Sequence, residues 1–414
     1  MLETLRNRNF ALVWLGGLVS LTGDWVLVAG LPLVVYQMTG STLALGFTAM
    51  ASAAPRLLVG SIAGVFVDRW DRRWTMLVAD LLLGLILLPL LTVSNAHQLW
   101  LIVLVLTIES ALVQFYRPAE GALLPSLVGQ DDLVRANALN GLTVNAARLV
   151  GPPLGALLVA VSGLVGIVVV DALSFLAAGA LLLFMTSDAL PTLASRTKRV
   201  VAVWREWLDG LRLVQTRTTP RVLFLFLALT GLGEGALSAL FVPFNARILH
   251  GNELTFAALV SAQAVGGLLG SLALGQFGRG IAPTWLLGMG ALGLGLIDAC
   301  VFYSPLVTPV VHVPVLFMGL VGVPVAALQA GYLTLAQTSV EDEFRGRVLG
   351  LFLATTALSG LLGMLGAGVL GDVIGILPLL GVQSVVYLIG GGLVLAVLRP
   401  ATQRPLLRPT VERN

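Results

Sequence analysis

Charge is what this sequence has least of. Of its 414 residues only 11% are Asp, Glu, Lys or Arg, while 57% are hydrophobic; a soluble domain carries roughly a quarter charged residues. That balance excludes a soluble globular enzyme and, more firmly, a disordered chain. Cysteine is nearly missing. Cys300 stands alone, so a disulfide framework, a zinc knuckle and an iron–sulfur site are excluded. The three histidines, His97, His250 and His312, are all expected in or beside short connections, so no helix offers a paired-histidine face to a metal. Lys198 is the sole lysine and no G-x-x-x-x-G-K-[ST] stretch occurs, which excludes an ATP-binding loop. No cofactor is expected.

What is present is apolar sequence in long runs. A spanning helix needs ~20 mainly apolar residues, and spans are expected at about 10–38, 42–66, 74–95, 99–126, 134–162, 164–187, 220–249, 253–276, 283–303, 310–338, 344–372 and 376–398. The runs are continuous rather than alternating over ~10 residues, which excludes a transmembrane β-barrel. The first run, Phe10 to about Met38, exceeds the 7–15-residue core of a signal peptide and reads as a span. The fold class is therefore an all-α polytopic membrane protein with twelve transmembrane helices, its 47 glycines suiting helices packed through small residues.

One long polar connection, 188–219, divides the chain. Residues 1–187 form an N-terminal six-helix bundle and 220–414 a C-terminal one with a short basic tail. Between them Trp204, Trp207, Leu208 and Leu211 alternate with Arg205, Glu206, Asp209 and Arg212, the pattern of an amphipathic helix on a membrane face. An even span count puts both termini on one side. That side collects nearly all the loop arginines, whereas the opposite loops hold only Arg247 and the spans themselves hold Arg56, Arg117 and Arg148. By the positive-inside rule both termini are cytoplasmic and the membrane is the plasma or inner cell membrane. The net charge of +3 is explained by these arginines, and nucleic acid is not expected as a partner. The halves also match at an offset of 210 residues, which pairs Asp24 with Glu234 mid-way through the first helix of each. Parallel six-helix repeats of this kind are a known transporter plan.

The connection after the second span reads Gly64-Val65-Phe66-Val67-Asp68-Arg69-Trp70-Asp71-Arg72-Arg73. It resembles the G-x-x-x-D-R-x-G-R-R signature of the major facilitator superfamily, with Asp71 in place of the second glycine. Leu5-Arg6-Asn7-Arg8-Asn9-Phe10, Ser20-Leu21-Thr22-Gly23-Asp24-Trp25 and Arg117-Pro118-Ala119 are similar to the macrolide-efflux and enterobactin-exporter-like branch of drug:proton antiporters. Gly151-Pro152-Pro153-Leu154-Gly155 resembles the Gly-Pro-x-x-Gly core of the antiporter motif. The resemblance implies two six-helix bundles rocking about a central site. Conformational gating is expected from Gly64, Asp68, Arg69, Arg72, Arg73, Gly151, Pro152 and Gly155.

Ionisable groups inside spans are the functional candidates, because a charge in the bilayer is costly unless paired or hydrated. Asp24, Glu234 and Glu109 are expected to couple proton movement, with Arg148 as an alternative structural partner for Asp24. Trp25, Phe115, Tyr116, Arg117 and Arg148 are expected to contact substrate. For Arg117 the two readings are a local helix break at Arg117-Pro118 that presents the cation to substrate and, as the plainer one, a side chain that snorkels to the cytoplasmic interface. Asp171 and Asp298 read as structural, and Asp80 as a cap or counter-charge for the nearby loop arginines. The expected activity is export of amphipathic small molecules, drug- or siderophore-like, by a monomer driven by the proton gradient. The alternative is a lipid or lysolipid translocator, or an uncoupled facilitator of the same fold. A membrane-embedded enzyme lacks an intramembrane histidine or a nucleophile–base pair.

Overall fold

The computed structural model describes residues 4–67, 70–185, 214, 216–278, 280–339 and 342–398. The expected amphipathic linker helix, the basic tail, Asp68 and Arg69 lie outside the described residues. Every regular element among the described residues is helical. The first three spans are α1 (Arg8–Thr39), α2 (Thr42–Val67) and α3 (Arg72–Leu87). Asn7 caps α1 by accepting from the Phe10 amide, and donates at 2.7 Å to the Leu127 carbonyl. Asp71 accepts from the Trp74 amide at 2.8 Å. The residue that departs from the family signature is thus the N-cap of α3, which satisfies an otherwise orphaned amide.

Helical backbone then continues from Leu99 to Leu183, 85 residues. A straight helix of that length would be roughly 128 Å long, about four times the hydrocarbon thickness. Contacts with α1 show how it folds. Near one end Asn7 meets Leu127 and, ten residues on, Gly17 faces Glu120, so 99–128 (α4) runs antiparallel to α1. Trp14 donates to the Leu139 carbonyl, Gly151 packs on Trp25 and Gly155 on Val26, so 139–162 (α5) runs parallel to α1. A methyl group on Gly30 would meet Val159 at 3.1 Å and Ile167 at 2.9 Å. Those two residues would stand ~12 Å apart along a straight helix. Beyond them Gly23 packs on Asp171 and Ser174, and Gly16 on Ala178, so 164–183 (α6) runs antiparallel. The reversal is at Gly163, whose φ of 60° is open to glycine without steric cost.

The second half holds α7 (Thr218–Pro243), α8 (Glu253–Phe277), α9 (Pro283–Val307), α10 (His312–Thr338), α11 (Asp342–Ile374) and α12 (Ile376–Val397). It repeats the device of the first: α11 and α12 meet at Gly375, φ 98°. Among the described residues these helices make twelve crossings, at nearly the expected positions. Helical backbone persists through Arg117-Pro118 and through Pro152-Pro153. The local break, one of the two readings of Arg117-Pro118, is absent, because proline removes one donor whereas an opened turn in the bilayer would bare several backbone groups.

Each half has its own core, one around Leu27, Leu83, Ile102 and Ile167, the other around Phe226, Leu240, Phe302 and Phe352. Val242 and Phe256 from the second half join the first half's core. The outer face is apolar as well, with Leu58, Val161, Phe277 and Val373 at least 71% exposed. Such a surface requires lipid.

Candidate functional site

Two cavities meet at Asp24 and Arg117. The central one, about 280 Å³, is lined from the first half by Asp24, Leu31, Thr48, Ser52, Arg56, Glu109, Ser110 and Arg117, and from the second by Ser238 and Met364. The other, about 440 Å³, lies within the first half, where Trp14, Ser20, Trp25, Tyr116, Glu120, Asn140, Thr143 and Arg148 surround the same Asp24 and Arg117.

Three carboxylates converge here, Asp24 and Glu109 in the cavity wall and Asp171 sealed behind it. One oxygen each from Asp24 (α1), Glu109 (α4) and Asp171 (α6) lie within 4.8 Å of one another. Two ionised carboxylates at that separation repel by roughly 3.5 kcal/mol at an effective dielectric of 20. Asp24 and Glu109 are half-buried and Asp171 is fully buried. Asp171 is seated by its neighbours: Ser174 Oγ donates to its carbonyl at 2.8 Å and to Oδ1 at 3.4 Å, while its Oδ2 has no hydrogen-bond partner. Gly23 makes room for it, since a methyl group there would come within 2.7 Å of Asp171 Oδ1. The charges acting on Asp24 are Arg117 and Arg56, and Arg56 acts on Glu109 too. Helices α2 and α4 are tied at the cavity by Ser110 Oγ donating at 2.6 Å to the Ser52 carbonyl.

The remaining expected residues fall in several places. Trp25 carries the Arg148 guanidinium over its ring at 5.3 Å, so Arg148 stacks on an aromatic face instead of pairing with Asp24. Glu234 is separate from the cluster, exposed one turn before the cavity-lining Ser238, and accepts a hydrogen bond from the Tyr387 hydroxyl. Phe115 lies on another face of α4. It stacks on Trp70 with ring centroids 6.0 Å apart and lines an apolar pocket with Trp74, Val78 and Leu82. Asp298 accepts from Gln383 at 3.1 Å and ties α9 to α12. Asp80 differs from expectation. It is fully buried, neither carboxylate oxygen has a partner, and it packs on Gly179 of α6. It packs against α6 with no hydrogen bond from Arg72 or Arg73, which it was expected to cap or neutralise, and Arg73 donates to the end of α6 instead.

Of the gating residues, Gly151 and Gly155 hold α5 against the backbone of Trp25 and Val26, where added methyl groups would meet the carbonyl carbons at 3.1 and 3.2 Å. Pro152 is buried beside them, and Arg72 is half-buried at the first turn of α3. Gly64 lies in the last turn of α2. Arg73 donates to the Leu182 and Leu183 carbonyls, both at 3.0 Å. It caps the end of α6, where helix carbonyls lack partners and a cation is favoured.

At the end of the bundle opposite the termini the two halves are latched. A five-residue π turn, Phe244–Ile248, ends α7 and carries Arg247. Arg247 pairs with Asp372 of α11 at 2.7 Å, donates to the Gly40 carbonyl and lies 5.5 Å from the centre of the Tyr36 ring. Thr42 Oγ1 donates to Asp372 at 3.0 Å and to the Gly368 carbonyl at 2.9 Å, and Gln37 donates to Glu253. Arg247 stands out in the sequence as the lone arginine of its side, whereas Asp372 does not, because one carboxylate at a helix end carries no signal without its partner.

The profile of the family described as transmembrane secretion effector matches residues 1–409. Multidrug efflux pump Tap of Mycobacterium tuberculosis is 28% identical over 90% of this chain and 90% of its own length. Macrolide efflux protein A of Streptococcus pyogenes is 25% identical over 89% and 90%. Among solved structures, a bacterial homologue of the iron transporter ferroportin in its inward-facing state superposes with a TM-score of 0.71, 18% identity, and coverage of 94% of this chain and 98% of that one. The nucleoside transporter NupG gives 0.72 at 14% identity, over 94% and 98%. With twelve helical crossings among the described residues, a mainly apolar cavity carrying a few charged groups and lined from both halves, and a family profile spanning nearly its whole length, the chain belongs to the transmembrane secretion effector family of the major facilitator superfamily and is a membrane transporter, not an enzyme.

Proposed function

We propose that the protein is a secondary active transporter that exports amphipathic small molecules, drug- or siderophore-like, by proton antiport. The observation that carries this reading is the convergence of Asp24 and Glu109 on the central cavity wall beside Arg56 and Arg117. Carboxylates at shared depth gain and lose a proton as their surroundings change, so their charge state biases which side of a rocking pair of bundles is open. Relatives named for macrolide and multidrug efflux support the direction and the class of cargo. The protein acts as a monomer in the plasma or inner membrane with both termini cytoplasmic, and the latch at Arg247 and Asp372 closes the external side. Substrate contacts fall to Trp25, Tyr116, Arg117 and Arg148 in the adjoining chamber. The two cavities together lie within the 300–1,000 Å³ range of small-molecule sites.

The test uses purified protein in proteoliposomes with an imposed pH gradient and a panel of macrolides, lipophilic cations and catecholate siderophores. Gradient-dependent movement of a panel member, lost on collapsing the gradient and lost in Asp24→Asn, is the expected result. Movement indifferent to the gradient refutes antiport and favours an uncoupled facilitator or lipid translocator. Coupled transport by Asp24→Asn removes that residue from the coupling role.

A further inference from the structure

The Asp24–Glu109 pair of the proposed coupling site has a third member that sequence reading took as structural. Asp171 belongs to α6, which lies against α1 at Gly23. Its carboxylate meets the other two within 4.8 Å, and Oδ2 of this fully buried side chain has no hydrogen-bond partner. A sealed carboxylate oxygen without a donor needs one, and the convergence of the three carboxylates supplies the place for a shared proton. Around them the opposing charges are two, Arg56 from α2 and Arg117 from α4. Three negative groups against two positive ones leave a single uncompensated charge.

Other ionisable groups stand further out. Glu120 of α4 interacts with Arg117, Asp80 of α3 is sealed against α6, Arg148 of α5 lies on Trp25, and Glu234 of α7 is bonded by Tyr387. None of them joins the group of three carboxylates.

We infer that Asp24, Glu109 and Asp171 form one three-carboxylate centre that holds a single shared proton, with Asp171 as its anchoring member. This rests on the antiport reading for its consequence, since Asp171→Asn removes the surplus charge and with it the demand for a proton. A divalent cation is the competing occupant of three oxygens so placed, and the two guanidiniums disfavour it.

The experiment compares full-length wild type, Asp171→Asn and Asp171→Glu in proteoliposomes, alongside infrared spectra of the carboxyl stretch across a pH series. The wild type should show a protonated-carboxyl band that titrates. In Asp171→Asn that band is lost, and gradient-driven transport falls at least tenfold toward the rate without a gradient, while substrate exchange at equal pH continues. Asp171→Glu restores the gradient dependence with a shifted pH midpoint, which a packing role would not produce. Asp298→Asn, a change in the other half where the side chain ties α9 to α12, keeps the titrating band of the centre. If Asp171→Asn keeps both the band and the gradient ratio of wild type, the inference is overturned. If that variant cannot exchange substrate at all, the spectrum of the purified protein decides alone: an unchanged titration overturns the inference, and a lost band upholds it. Wild type that titrates yet ignores the gradient refutes antiport and leaves the three-carboxylate centre standing. Proton release on adding Mn2+, with a Mn2+ resonance altered in wild type and restored to that of free ion in Asp171→Asn, overturns the shared proton in favour of a metal.

Discussion

The latch opposite the termini has a strength that can be worked out from its parts. Asp372→Asn removes the charge, keeps the shape and leaves an oxygen for the Thr42 hydroxyl. What is lost is the attraction to Arg247 at 2.7 Å, between side chains 42% and 43% exposed. At that exposure water and salt screen the pair, and such bridges contribute ~0.2–1 kcal/mol. Arg247 keeps its bond to the Gly40 carbonyl and its place beside Tyr36, so no unpaired charge is buried by the change. Taking ~1 kcal/mol as the loss, the population open on the latched side rises about fivefold, since 1.4 kcal/mol is a factor of ten. Thr48→Cys in a Cys300→Ser background reports it, because Thr48 lines the central cavity and is 5% exposed. A membrane-impermeant thiol reagent applied from the latched side should modify Asp372→Asn about fivefold faster than its parent. The difference should shrink at high ionic strength, and Arg247→Gln added to Asp372→Asn should contribute little beyond either alone. An unchanged rate in both single variants would refute the latch.

Three further outcomes follow from packing and hydrogen bonding. Gly155→Ala drives a methyl group into the Val26 carbonyl oxygen, a backbone atom that cannot swing aside, and should destabilise by ~1–3 kcal/mol, seen as a lower melting temperature in detergent, while Gly121→Ala, with nothing within 4 Å, should not. Arg73→Gln loses charge-assisted bonds to two α6 carbonyls and should cost ~1–2 kcal/mol by the same measurement, with Arg73→Lys recovering only part of it. Asp80→Leu replaces a sealed carboxyl lacking partners with an apolar group of similar size, so thermal stability should hold or rise with transport kept. A loss of transport at unchanged stability would place Asp80 in the proton path.

Much of the fold could be read in the sequence because hydropathy in a membrane chain is nearly a direct record of backbone path. The expected spans 42–66 and 253–276 stand beside helices Thr42–Val67 and Glu253–Phe277, since a helix must satisfy its backbone wherever lipid surrounds it. The depth of Asp24 in α1 was legible for the same reason. Which carboxylates meet was not. Glu109 and Asp171 come together with Asp24 through the antiparallel lie of α4 and α6 against α1, whereas Glu234, paired with Asp24 by sequence offset, is held by Tyr387 instead. Asp80 was misread because proximity in sequence to Arg72 and Arg73 says nothing of the side a helical residue faces. Phe115 and Tyr116 are neighbours in the chain, yet line different pockets, as successive residues on a helix point ~100° apart.

The reversal at Gly163 and its counterpart at Gly375 bear on how the protein is made. Each joins the last two crossings of a half with no connecting segment beyond a glycine of positive φ. With no solvated segment between them, α5 with α6, and α11 with α12, are each expected to enter the bilayer as a hairpin rather than as single helices. On that order of events the carboxylate of Asp171 would enter tethered within its hairpin and meet Gly23 of α1 only when the hairpin docks on the helices made before it.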